Sequence, residues 1–410
     1  MNLRFRFFAS TLLMATIGLT WWMQSRGLEP VVITPSLTGE AEYCISCHPD
    51  VNEISPSHPV ESFGCIICHG GERLALDEDL AHSSMRGGNN PSDLSVVEQS
   101  CGGSECHSGD ESELGDHIQR VKTSIQTTYA GAIANVRFAF GAQDELTPIL
   151  GTMPVKDTSL PSQTGILFLE GYSASSETHP LLQTFGENCL GCHLNSQPME
   201  SELDRYSGCA ACHSPADSGG ELTHTLTTAI SYSQCNNCHN QGNYELITMT
   251  FVERSDQPLK RQDRYYQPIA QFTQCEYTLD CVDCHTRIEI MGDGDIHASK
   301  KDIQYVQCKT CHGTLTELPQ VKVLSDPNDI VFRLARLNAI MDLKIGDTIL
   351  ETEKGESLWN IRLLPDGSYE MIGKATRQLF HFNAVLGSDC EQDPGKQESQ
   401  YCHECHAVEH

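Results

Sequence analysis

Basic residues are scarce. The chain has 410 residues, with 27 Lys and Arg against 55 Asp and Glu, a formal charge of −28. Phosphate backbones are gripped by clustered Lys and Arg, so this balance excludes nucleic-acid binding and favours solubility and docking to basic partner surfaces. Apolar residues make up only 39%, little material for a conventional core in a chain this long. Histidine is rare as well, at 18 residues, and where those histidines fall is the most informative feature of the sequence.

Cysteine is abundant, at 20 residues, and 18 of them form nine pairs, each followed at once by a histidine. In chain order the pairs are Cys44 and Cys47 with His48, Cys65 and Cys68 with His69, and Cys101 and Cys106 with His107. Five more run in close succession: Cys189 and Cys192 with His193, Cys209 and Cys212 with His213, Cys235 and Cys238 with His239, Cys281 and Cys284 with His285, and Cys308 and Cys311 with His312. The last is Cys402 and Cys405 with His406. Eight pairs are spaced Cys-x-x-Cys; the third has four residues between its thiols, two of them the easily bent Gly102 and Gly103.

Zinc sites also use paired cysteines, but have no reason to demand a histidine directly after every pair. A c-type haem does. Two thiols form thioethers with its vinyl groups, and the next histidine sits under the iron as proximal ligand. Nine haem c groups are therefore expected. With five motifs in the 124 residues from Cys189 to His312, the macrocycles themselves are expected to be the core. The expected fold class is mostly α and irregular, packed on haem, with a small β-rich insertion near the C-terminus.

Haem attachment takes place outside the cytoplasm, so export is expected. Arg4 and Arg6 precede an uncharged run from Phe7 to Met23 that ends in Trp21 and Trp22. No Ala-x-Ala follows it, Ser25-Arg26-Gly27 is a weak cleavage point, and no Cys follows directly for lipidation. The run is short for a span, but its Trp pair and preceding basic residues favour an uncleaved N-terminal anchor over a removed signal peptide, with the haem domain in the periplasm or outside the cell.

The expected domains are an anchor over 1–27, a three-haem module over 28–112, a helix and linker over 113–178, a five-haem module over 179–313, a β-rich insertion over 314–389 and a terminal haem segment over 390–410. Apolar residues recur at steps of three or four from Leu114 to Phe140 and predict one long amphipathic helix, with Gly141 as its C-cap. Residues 142–178 read as irregular. In the insertion, 321–324, 330–334 and 348–352 are strand-like, and 360–364 and 368–372 flank a Pro365-Asp366-Gly367 hairpin turn. The insertion is expected to be a cap over haems or a docking module. Spacings of 21 between Cys44 and Cys65 and of 20 between Cys189 and Cys209, each pair with a His-Pro and Phe-Gly segment close by, suggest an internal repeat.

Nine histidines lie outside the proximal positions, equal to the number of motifs. His58, His179, His224 and His297 precede motifs by similar distances and are the first candidates for distal ligands. His82, or Met85 beside it, His117, His381 and His403 are the others, and His410 is the weakest. Irons held by two histidines carry single electrons and offer no substrate position. Cys275 and Cys390 remain and are expected to form a disulfide in an oxidising compartment; closing a loop of more than 100 residues, it would stabilise by roughly 4 kcal/mol.

These motifs and spare histidines resemble the multihaem c-type cytochromes, over residues 44–312 and 402–406. The anchor followed by haems is similar to membrane-bound quinol-oxidising cytochromes, which usually carry fewer haems. The count is similar to that of nine-haem cytochromes of sulfate reducers, whose adjacent His-His pairs are lacking here. The scale is similar to octahaem oxidoreductases of nitrogen and sulfur compounds, which need an open haem. The resemblance implies electron relay between a membrane-side donor and a periplasmic or extracellular acceptor. It leaves two alternatives: an oxidoreductase with one open haem, or a subunit of an extracellular cytochrome filament. The partners implied are redox proteins or a membrane donor, with the membrane reached through the anchor, and a homo-oligomer or filament is a further possibility.

Overall fold

The computed structural model describes residues 30–103, 106–108, 116–157, 161–196, 205–215, 222–235, 237–239, 244–245, 250–251, 275, 278–303 and 305–406, with Met14 and Thr16. The anchor expected over 1–27 otherwise lies outside the described residues. Among the described residues no helix is long and apolar enough to cross a membrane. The chain divides into two compact units, Met1–Met85 and Arg86–His410.

In the first unit, single helical turns at Cys44–Ser46, Val60–Phe63, Ile66–His69 and Glu78–Ala81 are linked by tight loops. Gly64 sits at φ +63, where a Cβ would meet Pro35 Cγ at 2.3 Å and Glu42 Oε1 at 2.5 Å. Only glycine fits that approach. It lets the buried Glu42 carboxylate accept from the Cys65 N–H at 2.7 Å, tying the second motif to the residues just before the first.

The second unit begins with helical turns before and after the third motif. The single helix expected from Leu114 to Phe140 is three helices, His117–Thr123, Ile125–Thr128 and Ala130–Ala139. Ser124 makes the first break. Its backbone is extended and its hydroxyl caps the second helix by accepting from Thr127 N–H at 3.3 Å, a job serine does better than continuing a helix. Tyr129 makes the second break in the left-handed region at φ +48, where a bulky side chain is strained. Beyond it Gly131 lies so close to the 290s segment that a Cβ would fall 1.6 Å from Ala298 O. The apolar periodicity survives both breaks because each fragment still buries its inner face: Ile118 and Val121, then Ile133 and Ala134.

Residues 142–178, expected to be irregular, contribute three short strands. The central Phe168–Gly171 pairs in parallel with Leu150–Gly151 and antiparallel with Val155–Lys156. Val155, Ile166 and Leu169 bury against Ala130 and Ile296.

The C-terminal insertion is a five-stranded antiparallel sheet in the order Leu379–Phe382, Tyr369–Ile372, Ser357–Leu363, Thr348–Glu351, Val321–Val323. Its hairpin turn falls at Pro365-Asp366-Gly367, closed by Leu364 N–H to Ser368 O at 2.8 Å, with Gly367 at φ +87. The segment 330–334, expected as a strand, is instead the start of helix Ile330–Leu337. Asp329 caps it, accepting from Val331 N–H at 3.0 Å. Its buried residues Val331 and Ala335, four apart, pack on Leu324, Ile340 and Ile349, so the helical period outweighs β-branched propensity here. On another face, Leu350, Leu358, Ile361, Tyr369 and Met371 pack against Leu279, Cys311, Phe380 and Phe382. The sheet thus sits directly on the seventh and eighth motifs.

Candidate functional site

Most motifs form one helical turn, as at Ala210–His213, Cys281–Cys284 and Cys308–His312. In a turn, residues at i, i+3 and i+4 share a side. Two thiols and an imidazole therefore converge on one face, as attachment to a single flat group requires. In the third motif the longer loop still folds back, with His107 N–H donating to Cys101 O at 3.2 Å.

Several motif histidines have one ring nitrogen fixed. His213 Nδ1 donates to Thr227 O at 2.8 Å and His312 Nδ1 to Asn383 O at 3.2 Å. His285 Nδ1 lies 3.3 Å from Glu289 Oε2. With Nδ1 carrying the proton, Nε2 presents a lone pair, the tautomer that suits a metal ligand. Glu289 is itself held by the N–H groups of Tyr305 and Val306 at 2.8 Å each. Burial disfavours the charge of His285, and Glu289 outweighs it, so its pKa is raised.

Two pairs of histidines stand side by side with their rings tilted by 50° and 59°. His48 and His82 have ring centroids 6.0 Å apart, and His107 and His117 6.1 Å. Two imidazoles that both bound one metal through a nitrogen at about 2 Å would have ring centroids about 6.3 Å apart. Both pairs match that span, and both join a motif histidine to a distal candidate from the sequence. Burial, with Arg287 and His107 nearby, depresses the pKa of His117 to about 4, so the ring is neutral and able to ligate at physiological pH. Its Nδ1 is buried without a hydrogen-bond partner among the described residues.

The other candidates are placed differently. His58 Nδ1 is 3.1 Å from the hydroxyls of both Ser55 and Ser57, and its ring lies on Phe63 at 4.9 Å. His179 Nδ1 accepts from Leu181 N–H at 3.2 Å, capping helix Pro180–Asn188, which puts the ring proton on Nε2. His297 is buried and its Nε2 meets Asp293 at 3.0 Å. His224 and His381 are exposed. His403 lies in helix Ser399–His406, and its side chain, like His410, is outside the described residues. Cys275 is exposed and within electrostatic range of Cys284 and Cys311; Cys390 is half-buried.

The fourth motif carries two residues the sequence reading missed. Tyr129 meets the His193 ring edge-on at 6.2 Å. Arg205 is completely buried and donates to the backbone oxygens of Gly191, His193 and Tyr206. Its Nε has no hydrogen-bond partner, and no carboxylate pairs with it among the described residues. A buried N–H without an acceptor is costly, and a haem propionate is one group that would satisfy the Arg205 Nε. Nothing in the local sequence marks either residue, since Tyr129 lies 60 positions before Cys189.

Among the described residues two groups bring three possible donors within 4.8 Å: Glu42 with Cys44 and Cys65, and Asp293 with Asp295 and His297. In the first, the Glu42 contact with Cys65 N–H already accounts for the buried carboxylate.

Compared with known proteins, the chain matches no family model, no curated protein and no solved structure.

Proposed function

We propose that the chain is an exported electron-transfer protein that binds nine c-type haems and relays single electrons between a membrane-side donor and a periplasmic or extracellular acceptor. The observation that carries this reading is the invariable histidine after each of the nine cysteine pairs, and the histidine pairs at 6.0 and 6.1 Å fit it. Bound haem supplies the one-electron couple. The protein's own residues would hold it: the cysteines would fix each group, Thr227, Asn383 and Glu289 would orient proximal imidazoles, and His82 and His117 would supply the second histidine beside His48 and His107. The acidic chain favours the more positive oxidised irons and so lowers their potentials. The N-terminal run is assigned as the membrane anchor.

Production in a host able to mature c-type cytochromes, followed by intact mass spectrometry and a pyridine haemochrome assay, tests this. Nine haems per chain is the expected result. A protein that matures with zinc, or without covalent haem, would overturn it.

A second reading has one specific observation in its favour. His193 meets the edge of the Tyr129 ring at 6.2 Å; an iron held there without a second histidine would be open, and the protein would then be an oxidoreductase of a small nitrogen or sulfur species. A high-spin component that shifts with nitrite, hydroxylamine or sulfite supports this reading; a purely low-spin spectrum rejects it.

A further inference from the structure

The second unit holds seven of the nine motifs, and their sulfurs do not meet in simple sequence order. Cys101 and Cys209, of the third and fifth motifs, share one apolar cluster. The loop ahead of the third motif also grips the fifth, as Ser92 O accepts from Cys209 N–H at 3.2 Å and Ser92 Oγ from Ala210 N–H at 2.8 Å. Farther along, Cys311 and Leu279, two residues before Cys281, pack on one apolar cluster, which brings the seventh and eighth motifs together. Cys308 N–H donates to Ser399 Oγ at 2.9 Å, and Leu315 N–H to Gln397 Oε1 at 3.3 Å, which brings the ninth motif against the eighth.

The sixth motif stands between these stretches and touches three others. Cys238 Sγ lies 3.1 Å from Cys192 O, and its thiol is hydrogen-bonded to that of Cys192 in the fourth motif. Gln234 Nε2 donates to Ala211 O inside the fifth motif, between Cys209 and Cys212. Cys235 is hydrogen-bonded to Cys281 of the seventh motif, and Tyr232 N–H donates to Asp280 Oδ1 at 2.7 Å. The fourth motif does approach the fifth through backbone, with Gly208 N–H donating to Leu194 O at 2.7 Å. Its sulfur contact, however, is with the sixth.

Each motif sulfur becomes the atom that fixes one edge of its haem. Sulfurs of two motifs in contact therefore mean two haem edges in contact, which is what rapid electron exchange needs. This inference rests on the nine-haem reading above. We propose that the haems of the second unit form a branched conduit with the sixth as its junction, leading to three ends at the third, fourth and ninth haems. A single electron crosses each contact as one iron is oxidised and its neighbour reduced, and no bond is made or broken. Three ends allow the unit to exchange electrons with three one-electron partners, so that one donor can supply two separate acceptors. An unbranched series has only two such ends.

The positions of the irons in the matured full-length protein, from cryo-electron microscopy or anomalous scattering, test the proposal. The iron above His239 should have three haem neighbours in edge contact, those attached beside His193, His213 and His285. The irons of His107 and His406 should each have one neighbour within this unit. Haems at all the motifs but only two neighbours for the sixth would overturn the branch and leave the electron-transfer reading standing. Motifs without iron would overturn both.

Discussion

The His48 and His82 rings lie 6.0 Å apart, centroid to centroid, tilted by 50°, although the two residues are 34 positions apart in the chain. Helix Glu78–Ala81 sets this relationship. Asp77 caps it by accepting from Leu80 N–H at 3.1 Å, and His82 is the residue at its end. If His82 is the sixth ligand of the first iron, His82→Ala leaves that iron five-coordinate. One haem in nine should change from low-spin to high-spin in the electron paramagnetic resonance spectrum. His82→Met should keep the iron low-spin and raise its midpoint potential. A wild-type spectrum from the alanine variant would remove His82 from the coordination sphere. His117→Ala should act in the same way on the third iron.

The nine cysteine pairs and the histidine after each were legible because each set lies within a short stretch of sequence, one turn in most of them. A distal ligand to a bound haem would come from elsewhere in the chain, and counting spare histidines does not place one. His58 and His179 stand out in the sequence by their spacing before motifs; in the structure the Nδ1 of one lies between serine hydroxyls and that of the other caps a helix, contacts that spacing alone does not announce. The apolar period from Leu114 to Phe140 was read correctly as helical, but not its breaks at Ser124 and Tyr129, which depend on local capping and on contact with the 290s segment. Likewise Ile330 and Val331 suggested a strand, while the Asp329 cap and the buried pair four residues apart made a helix. Residues that act only through tertiary contact, such as Arg205, leave no local mark.

Arg205 holds the loop of the fourth motif through Gly191 O and His193 O, at 3.0 and 3.3 Å. Arg205→Met should keep much of the packing but leave those buried carbonyls without their charged donor. A loss of roughly 2–3 kcal/mol is expected, read as a lower melting temperature. If the guanidinium also meets a haem propionate, the midpoint potential of one haem should shift in the same variant. An unchanged melting temperature would show that the carbonyls find other donors.

Lys374 joins the sheet to the seventh motif. Its N–H donates to Asp283 Oδ1 at 2.6 Å and its ammonium to Val282 O at 2.7 Å, with Trp359 alongside at 5.5 Å. Burial lowers the Lys374 pKa and raises that of Asp283. Each charge also favours the other across this contact, so removing one leaves the other less compensated. Lys374→Met should therefore destabilise the protein by about 1–2 kcal/mol, and adding Asp283→Asn should recover part of that loss in a double-mutant cycle. Strict additivity of the two substitutions would mean that the pair is not coupled.

Asp329 gives the sheet a dependence on acid. Its pKa is lowered: slight burial acts to raise it, but the Lys322 ammonium at 2.8 Å and the Val331 N–H at 3.0 Å outweigh that. A carboxyl whose pKa is depressed on folding stabilises the native state above its unfolded pKa of about 3.9 and loses that contribution as pH falls through the lower folded value. Asp329→Ala should cost about 1 kcal/mol at neutral pH, the usual effect of losing a helix cap. Its deficit relative to wild type should shrink as the pH is lowered below about 4, because the wild type loses the same interactions on protonation. Thermal unfolding of both proteins across that range measures the difference, and a deficit that stayed constant down to the lowest pH would show that the Asp329 charge contributes nothing to the cap.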